Sequence, residues 1–239
     1  MNLENLQRII ERNTLLMMYE PGAGGDFIVA MLSVDPKING TGSNIEFHEN
    51  GRIKAVKEKR NVHVNNIIND YEFYQNKTFF DNVKTQIVED VLGDIVTSYG
   101  KFISKLHPYF NDRTNLPRLI EHINHNYKNS SKIMLLRDRD FCMQNHVTKN
   151  NIMADEIYYN DEWYNMYEEL RRNHNDIISV KFSDMIKNPI ITMRKIYHIM
   201  GYTENEISHN FSINNDELKY IYNTYIDNQI NLENVERYW

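Results

Sequence analysis

Residues 14–32 read TLLMMYEPGAGGDFIVAML, and this stretch decides the fold. The uninterrupted apolar run over residues 14–19 predicts a buried strand, and the apolar residues from Phe27 onward predict a helix entered through glycine. An amphipathic helix is predicted just before the strand, because four apolar residues recur there at helical spacing: Leu3, Leu6, Ile9 and Ile10. This part of the chain is therefore predicted to run helix, strand, glycine-rich loop, helix.

Further along the chain, short apolar runs alternate with helical patterns. Strands are predicted over residues 102–107, 133–136 and 177–182, and helices over 66–98, 116–127, 162–173 and 189–200, with a helix and a tail over 214–239. Strands that alternate with helices favour parallel pairing, with helices on both faces of the sheet. We therefore predict an α/β fold of three layers, a central parallel sheet flanked by helices, as a single domain over residues 1–239.

The stretch over residues 35–65 interrupts this alternation. It is polar and carries Asn50-Gly51, with alternating apolar residues on either side. Asn-Gly is a preferred turn of two-stranded hairpins. We predict a polar hairpin excursion at about residues 35–65, which can cover a site.

The composition argues against several classes of protein. Of the 239 residues, 41% are apolar and 25% are charged, which is typical of a globular protein. The 27 Lys and Arg residues against 33 Asp and Glu residues give a net charge of −6, so bulk nucleic-acid binding is disfavoured. The sequence contains neither an apolar run of the roughly 20 residues that span a membrane nor a recognisable signal peptide. The single cysteine, Cys142, suits a reducing compartment, so we expect a cytoplasmic protein.

No metal is assigned from the sequence. His122 and His125 lie three residues apart on the predicted helix 116–127. They point away from its apolar face, so we expect them to be solvated rather than to bind zinc. Cys142 is alone and therefore cannot contribute to a multi-thiolate site.

Three predicted strand ends carry polar groups, and ligands of open parallel sheets bind beyond such carboxyl ends. The first end is the loop of Gly22, Ala23, Gly24, Gly25 and Asp26. Its main-chain N–H groups can approach an anion at the start of a helix, although a tight turn with positive φ explains the glycines equally well. Asp26 either caps the helix or opposes an anion. The loop has no Lys-Ser or Lys-Thr pair, so it is not a Walker A loop.

The second strand end is Lys105-Leu106-His107-Pro108. Side chains alternate along a strand, so Lys105 and His107 share one face. An imidazole can accept a proton from an attacking hydroxyl near neutral pH, and an ammonium group can neutralise charge on a leaving group. The alternative is a structural histidine hydrogen-bonded to a carbonyl.

The third strand end is Leu136-Arg137-Asp138-Arg139-Asp140. Arg137 emerges from the strand, where a guanidinium can bind a phosphate through two parallel hydrogen bonds. The same four charged residues can instead form an ion-pair network on the surface.

The order of these features resembles the P-loop sulfotransferase family: a glycine loop, a strand ending Lys-x-His-Pro, a strand ending in Arg, and a late strand followed by Asp-x-x-x-Asn-Pro. The most specific stretch is DIISVKFSDMIKNP, residues 176–189, followed by a helix that stops at Gly201. The resemblance covers roughly residues 14–205. It implies a three-layer P-loop-type fold and transfer of a sulfuryl group from PAPS, the family's donor, to a hydroxyl or amine. The acceptor would be a small molecule or a glycan, and no metal is implied.

The resemblance also implies roles for individual residues. By position, Gly22 to Phe27 would hold the 5′-phosphosulfate end of PAPS. His107 would be the general base, with Lys105 as its flanking lysine. Arg137 would bind the 3′-phosphate, and Asn145 is the nearest counterpart of a serine that the family usually carries after this arginine.

The loop departs from the family pattern. Gly22 stands where the family has Lys or Arg, and three other residues occupy its Ser and Thr positions: Ala23, Gly25 and Asp26. The cation nearest the transferred group is therefore missing unless Lys105 replaces it. The alternative function is a catalytically degenerate binding or interaction protein on the same fold. A nucleotide kinase or NTPase is disfavoured, because the Walker lysine and a metal-binding aspartate pattern are absent from the sequence.

Overall fold

The computed structural model of the chain describes residues 3–19, 23–39, 45–47, 53–55, 96, 100–106, 120–121, 123–125, 127–137 and 168–227. Its helices are α1 (Leu3–Arg12), α2 (Gly25–Leu32), α3 (Phe182–Lys187), α4 (Pro189–Ile199) and α5 (Glu204–Asp227). Its strands are β1 (Thr14–Tyr19), β2 (Ile38–Asn39), β3 (Ile45–Phe47), β4 (Ile53–Ala55), β5 (Lys101–Leu106), β6 (Ser131–Leu136) and β7 (Ile177–Lys181). Helical stretches are also found at residues 120–121, 123–125 and 168–173.

Five strands form one sheet in the order β2-β5-β1-β6-β7. All four pairings are parallel, and β2 contributes only two residues. β1 lies at the centre, as expected of a strand whose six residues are all buried. The predicted α/β fold with a central parallel sheet is confirmed for the described residues.

Alternate residues of β1 pack into two separate apolar clusters, one on each face of the sheet. On one face, Leu15 and Met17 join a cluster with residues of α2, α3, α4 and α5. On the other face, Leu16 and Met18 pack with side chains from the remaining helical stretches and the turn that follows one of them: Ile123, Tyr127 and Leu170. Helices therefore lie against both faces of the sheet.

The connections between strands reverse direction at β1. The chain runs from β1 through α2 to β2 at one edge, whereas β6 is followed by β7 at the other edge. The pairing of Met18 with Leu106 and of Tyr19 with Leu135 keeps the carboxyl ends of the three central strands level. In open parallel sheets, such a reversal opens a crevice for ligands beyond these ends. The three polar strand ends of the sequence therefore lie side by side along the edge formed by the carboxyl ends of the strands.

The helices after β7 differ in part from the prediction. α4 matches its predicted range and begins with Pro189 in the first turn, where proline is favoured. α3 has no counterpart among the predicted elements, and β7 stops at Lys181 because the helix begins at the next residue. α5 begins at Glu204 rather than at residue 214. A capping box starts it, since the Glu206 carboxylate accepts hydrogen bonds from the Thr203 N–H at 2.9 Å and hydroxyl at 2.8 Å.

β3 and β4 form an antiparallel pair with Glu46 opposite Lys54, so the strands of the predicted hairpin are confirmed. Its Asn50-Gly51 turn lies outside the described residues, as do nearly all of the predicted helix 66–98 and the first part of the helices at 116–127 and 162–173. β2 falls within residues 35–65 but belongs to the main sheet. The excursion therefore begins after β2.

Candidate functional site

The glycine loop joins β1 to α2 and is described from Ala23 onward. Gly24 is the N-cap of α2 and has φ 88° and ψ 20°, a left-handed conformation that glycine adopts without strain. The predicted turn with positive φ is confirmed at this residue. α2 starts at Gly25, so Asp26 is not the N-cap, contrary to one of the two expectations for it. It lies in the first turn, where the helix dipole favours a negative charge.

Aromatic rings fill the space beside the two described glycines. A Cβ atom on Gly24 would collide with the ring of Phe182 and lie 3.0 Å from the Tyr225 hydroxyl oxygen. A Cβ atom on Gly25 would collide with the ring of Tyr19. Glycine is therefore required at both positions for packing, whatever ligand the main chain of the loop binds.

Lys105 forms an ion pair with the loop. Its Nζ donates to Oδ1 of Asp26 at 2.9 Å, and the Tyr19 hydroxyl donates to the same oxygen at 3.0 Å. Side chains alternate along β5, and Ile103 packs on the cluster that contains α2, so Lys105 projects from the face that α2 covers. The side chains of Lys105 and Asp26 are 31% and 51% exposed, and ion pairs this exposed contribute at most about 1 kcal/mol to stability.

Arg137 follows β6 and lies over the ring of Phe182. Its Cζ is 3.8 Å from the ring centroid, which is a cation–π contact. The same ring packs beside Gly24 and meets the Tyr225 ring edge-on at a centroid distance of 6.1 Å. One phenyl ring therefore connects Arg137 to the glycine loop. Three further charged residues of this strand end lie outside the described residues: Asp138, Arg139 and Asp140.

Phe27 contributes its side chain to the core. It is completely buried and stacks on Tyr225 with ring centroids 4.0 Å apart. Ala23 is also completely buried. The side chains of these two loop residues belong to the packing beneath the loop, so what they offer a ligand is their main chain.

The predicted site residues divide into two groups. The structure brings Ala23, Gly24, Gly25, Asp26 and Phe27 together with Lys105 and with Arg137, at one edge of the sheet. The other predicted residues lie outside the described parts of the chain: Gly22, His107 and Asn145.

Sequence reasoning missed three aromatic residues that shape this edge: Tyr19, Phe182 and Tyr225. Tyr19 had a usable signal, because it ends β1 on the same side as Leu15 and Met17 and therefore faces α2. Phe182 and Tyr225 are far from the loop in sequence, and no local pattern links them to it. Their positions follow from the docking of α3 and α5.

Within the described ranges, no group of three or more His, Cys, Asp and Glu side chains is arranged to hold a metal ion. The helices in these ranges include none that combines the length and the apolar character needed to cross a membrane.

The described edge therefore combines a left-handed glycine at a helix start, a lysine paired with an aspartate and an arginine on an aromatic ring. Such an arrangement can bind an anionic group through main-chain N–H groups and two cations. Comparison with known proteins adds no identification, because no protein-family model matches the sequence and no curated protein matches it significantly.

Proposed function

We propose that this protein is a sulfotransferase-like enzyme with a P-loop-type fold, which transfers a sulfuryl group from PAPS to a hydroxyl or amine. The acceptor is a small molecule or a glycan. The observation that carries the proposal is the meeting of the glycine loop, Lys105 and Arg137 beyond the carboxyl ends of β1, β5 and β6. The sequence features that resemble the family come from distant parts of the chain, and their shared location is what a binding site requires.

The topology also supports a P-loop-type fold. A P-loop joins a strand to a helix, with the main chain of the loop facing the phosphate groups. Here the loop joins the central strand β1 to α2, at the point where the connections reverse direction. Gly24 gives the loop the left-handed turn at which α2 begins.

Three residues have separate roles in the proposed transfer of the sulfuryl group. Lys105 supplies the positive charge that Gly22 lacks, because its ammonium group already contacts the loop at Asp26. Arg137 binds a phosphate of the nucleotide through its guanidinium group, which lies over the Phe182 ring. In the reaction, a bond forms between the acceptor atom and sulfur while the bond from sulfur to the phosphate oxygen breaks. His107 accepts the acceptor's proton, and the nucleotide leaves with the bonding electron pair.

The proposal is tested by titrating the protein with PAP, the product nucleotide, in a calorimeter. Saturable binding is expected, and labelled sulfuryl transfer from PAPS should be detectable with a panel of hydroxyl and amine acceptors. His107→Ala should leave the affinity for PAP nearly unchanged and lower turnover by about 10²–10⁴-fold, since it removes only the proton acceptor. If PAP does not bind at millimolar concentration, PAPS is excluded as the sulfuryl donor.

The second candidate function is a non-catalytic binding or interaction protein on the same scaffold. One observation favours it: the charge of Lys105 is already matched by Asp26, in a loop that has glycine at the position of the family's cation. PAP binding without any transfer, in the wild-type protein and with all acceptors, would support this candidate over the enzyme.

A further inference from the structure

Asp26 and Lys105 hold each other at the point where the proposed function places an anion. One carboxylate oxygen of Asp26 receives both the Lys105 ammonium, at 2.9 Å, and the Tyr19 hydroxyl, at 3.0 Å. Lys105 and Tyr19 therefore both donate to a negative charge of the chain itself, the carboxylate of Asp26.

This arrangement is open to exchange with solvent ions. The Lys105 and Asp26 side chains are 31% and 51% exposed, so water and ions reach both charges. An exposed pair is held weakly. A ligand with two or more negative charges can therefore take Lys105 away from Asp26 without disturbing the core.

Asp26 is also fixed in place by its backbone. It lies in the first turn of α2, two residues after the left-handed Gly24, and Phe27 is anchored in the core by its stack on Tyr225. The carboxylate can turn away from Lys105, but its α-carbon cannot leave the loop. The carboxylate therefore stays within reach of Lys105 whether or not an anion is bound, so the anion and Asp26 compete for the same ammonium group.

We propose that Asp26 is an internal competitor for Lys105, which weakens anion binding at the glycine loop and sets the affinity of the site. This inference rests on the proposed function for the location of the anion. Anion binding transfers the Lys105 ammonium from Asp26 to the ligand, and Tyr19 continues to hold the carboxylate that has been released. The charge of Lys105 is thus balanced before the ligand arrives.

The experiment measures the affinity for PAP and for inorganic pyrophosphate in four variants and the wild type. The variants are Asp26→Asn, Lys105→Met, the double variant, and Asp216→Asn as the matched control. Asp216 is an exposed residue in the middle of α5, so its substitution removes the same charge away from the loop. Thermal unfolding of each variant establishes that it is folded.

Asp26→Asn should bind both anions up to about fivefold more tightly, because Lys105 is no longer held by a charged partner. Lys105→Met should bind about tenfold more weakly. In the Lys105→Met background, Asp26→Asn should change the affinity by less than about threefold, because the competition acts through the lysine. The control should match the wild type.

The outcomes separate this inference from the proposed function. PAP binding with no gain in Asp26→Asn, or the same gain with and without Lys105, overturns the competition and leaves the proposed function in place. A gain seen with pyrophosphate but no binding of PAP supports the competition and overturns PAPS as the donor. Binding of neither anion by any folded variant overturns both.

Discussion

Gly24 shows how a single residue fixes the loop at the candidate site. Its φ of 88° is unfavourable for any residue with a Cβ atom, and the space that a Cβ would occupy is taken by the Phe182 ring. The two constraints are independent, because one is a property of the main chain and the other depends on the packing of α3 and α5. The conformation of the loop is therefore tied to the packing beneath it.

Gly24→Ala should lower the free energy of unfolding by about 2–4 kcal/mol, from the left-handed backbone and the overlap with Phe182 together. Gly100→Ala is the matched control, because a Cβ at Gly100 meets nothing within 4 Å. The control should change stability by no more than about 0.5 kcal/mol. Urea unfolding measures both. Equal effects of the two substitutions would contradict the account of the loop.

The Asp26–Lys105 pair marks the limit of prediction at the scale of residues. Each residue was identified from its own strand end, but 79 positions separate them, and their contact depends on the pairing of β1 with β5. The sequence places both residues at strand ends of one predicted sheet, but it does not show that their side chains form an ion pair. Two roles were considered for Asp26, a helix cap and a group that opposes an anion. The start of α2 at Gly25 excludes the cap, and the contact with Lys105 shows which charge Asp26 faces.

At the scale of elements, the start of α5 is marked by a capping box and not by the spacing of its apolar residues. Its first ten residues contain few apolar side chains, so periodicity alone places the start of the helix too late. Thr203 and Glu206 supply the missing signal, a Thr-x-x-Glu capping box in which the Glu206 N–H also donates to the Thr203 hydroxyl at 3.3 Å. This spacing is readable in the sequence.

Thr203→Ala should lower the free energy of unfolding by about 1 kcal/mol, because it removes the hydroxyl from the capping box. Ser212→Ala is the control: it removes a hydroxyl from an exposed position inside the same helix, where alanine is the better helix former. The control should be neutral or slightly stabilising. Chemical denaturation compares the two, and a loss of the same size in Ser212→Ala would show that the cap is not the cause.

Elements with strong apolar patterns were predicted best. β1, β6, β7 and α4 form where continuous apolar runs or helical spacing placed them, and the pairing of β3 with β4 follows from the Asn-Gly signal between them. α3 escaped prediction, since its six residues are too short for a periodic pattern to be read. The prediction was therefore limited by short elements such as α3 and by polar stretches such as the start of α5.

At the scale of the whole molecule, three charged or titratable groups meet between the starts of β6 and β7. The Lys132 side chain is only 3% exposed, and its Nζ donates to Oδ2 of Asp176 at 2.6 Å and to the Ser130 carbonyl at 3.1 Å. His174 is buried, its Nδ1 lies 4.0 Å from Oδ1 of Asp176, and its Nε2 finds no hydrogen-bond partner in the described part of the chain. Folding thus encloses an imidazole beside an ion pair.

These groups make stability depend on pH. Burial lowers the pKa of His174 below 6.5; the charge of Asp176 raises that pKa and the charge of Lys132 lowers it. The unfolded chain therefore binds the proton more readily, and stability falls as pH drops from about 6.5 toward the lower pKa of the folded protein. Burial raises the pKa of Asp176, but the hydrogen bond and charge of Lys132 outweigh it and leave that pKa below 3.8. A second loss of stability follows at that more acidic pH.

His174→Gln should remove the first of these losses, so that stability changes less between about pH 7 and pH 5 than in the wild type. His209→Gln is the control, because His209 is an exposed histidine on α5. The measurement is the urea midpoint across this range. Wild-type and His174→Gln curves that run parallel would show that another group carries the pH dependence.

The rings beside Gly24 also determine when the glycine loop can pack during synthesis of the chain. β1 and α2 leave the ribosome early, but Phe182 and Tyr225, which enclose Gly24, are made about 160 and about 200 residues later. A nascent chain that ends before α5 has its glycine loop without the Tyr225 ring on which Phe27 stacks. The packing that fixes the conformation of the loop is therefore complete only when α5 has docked.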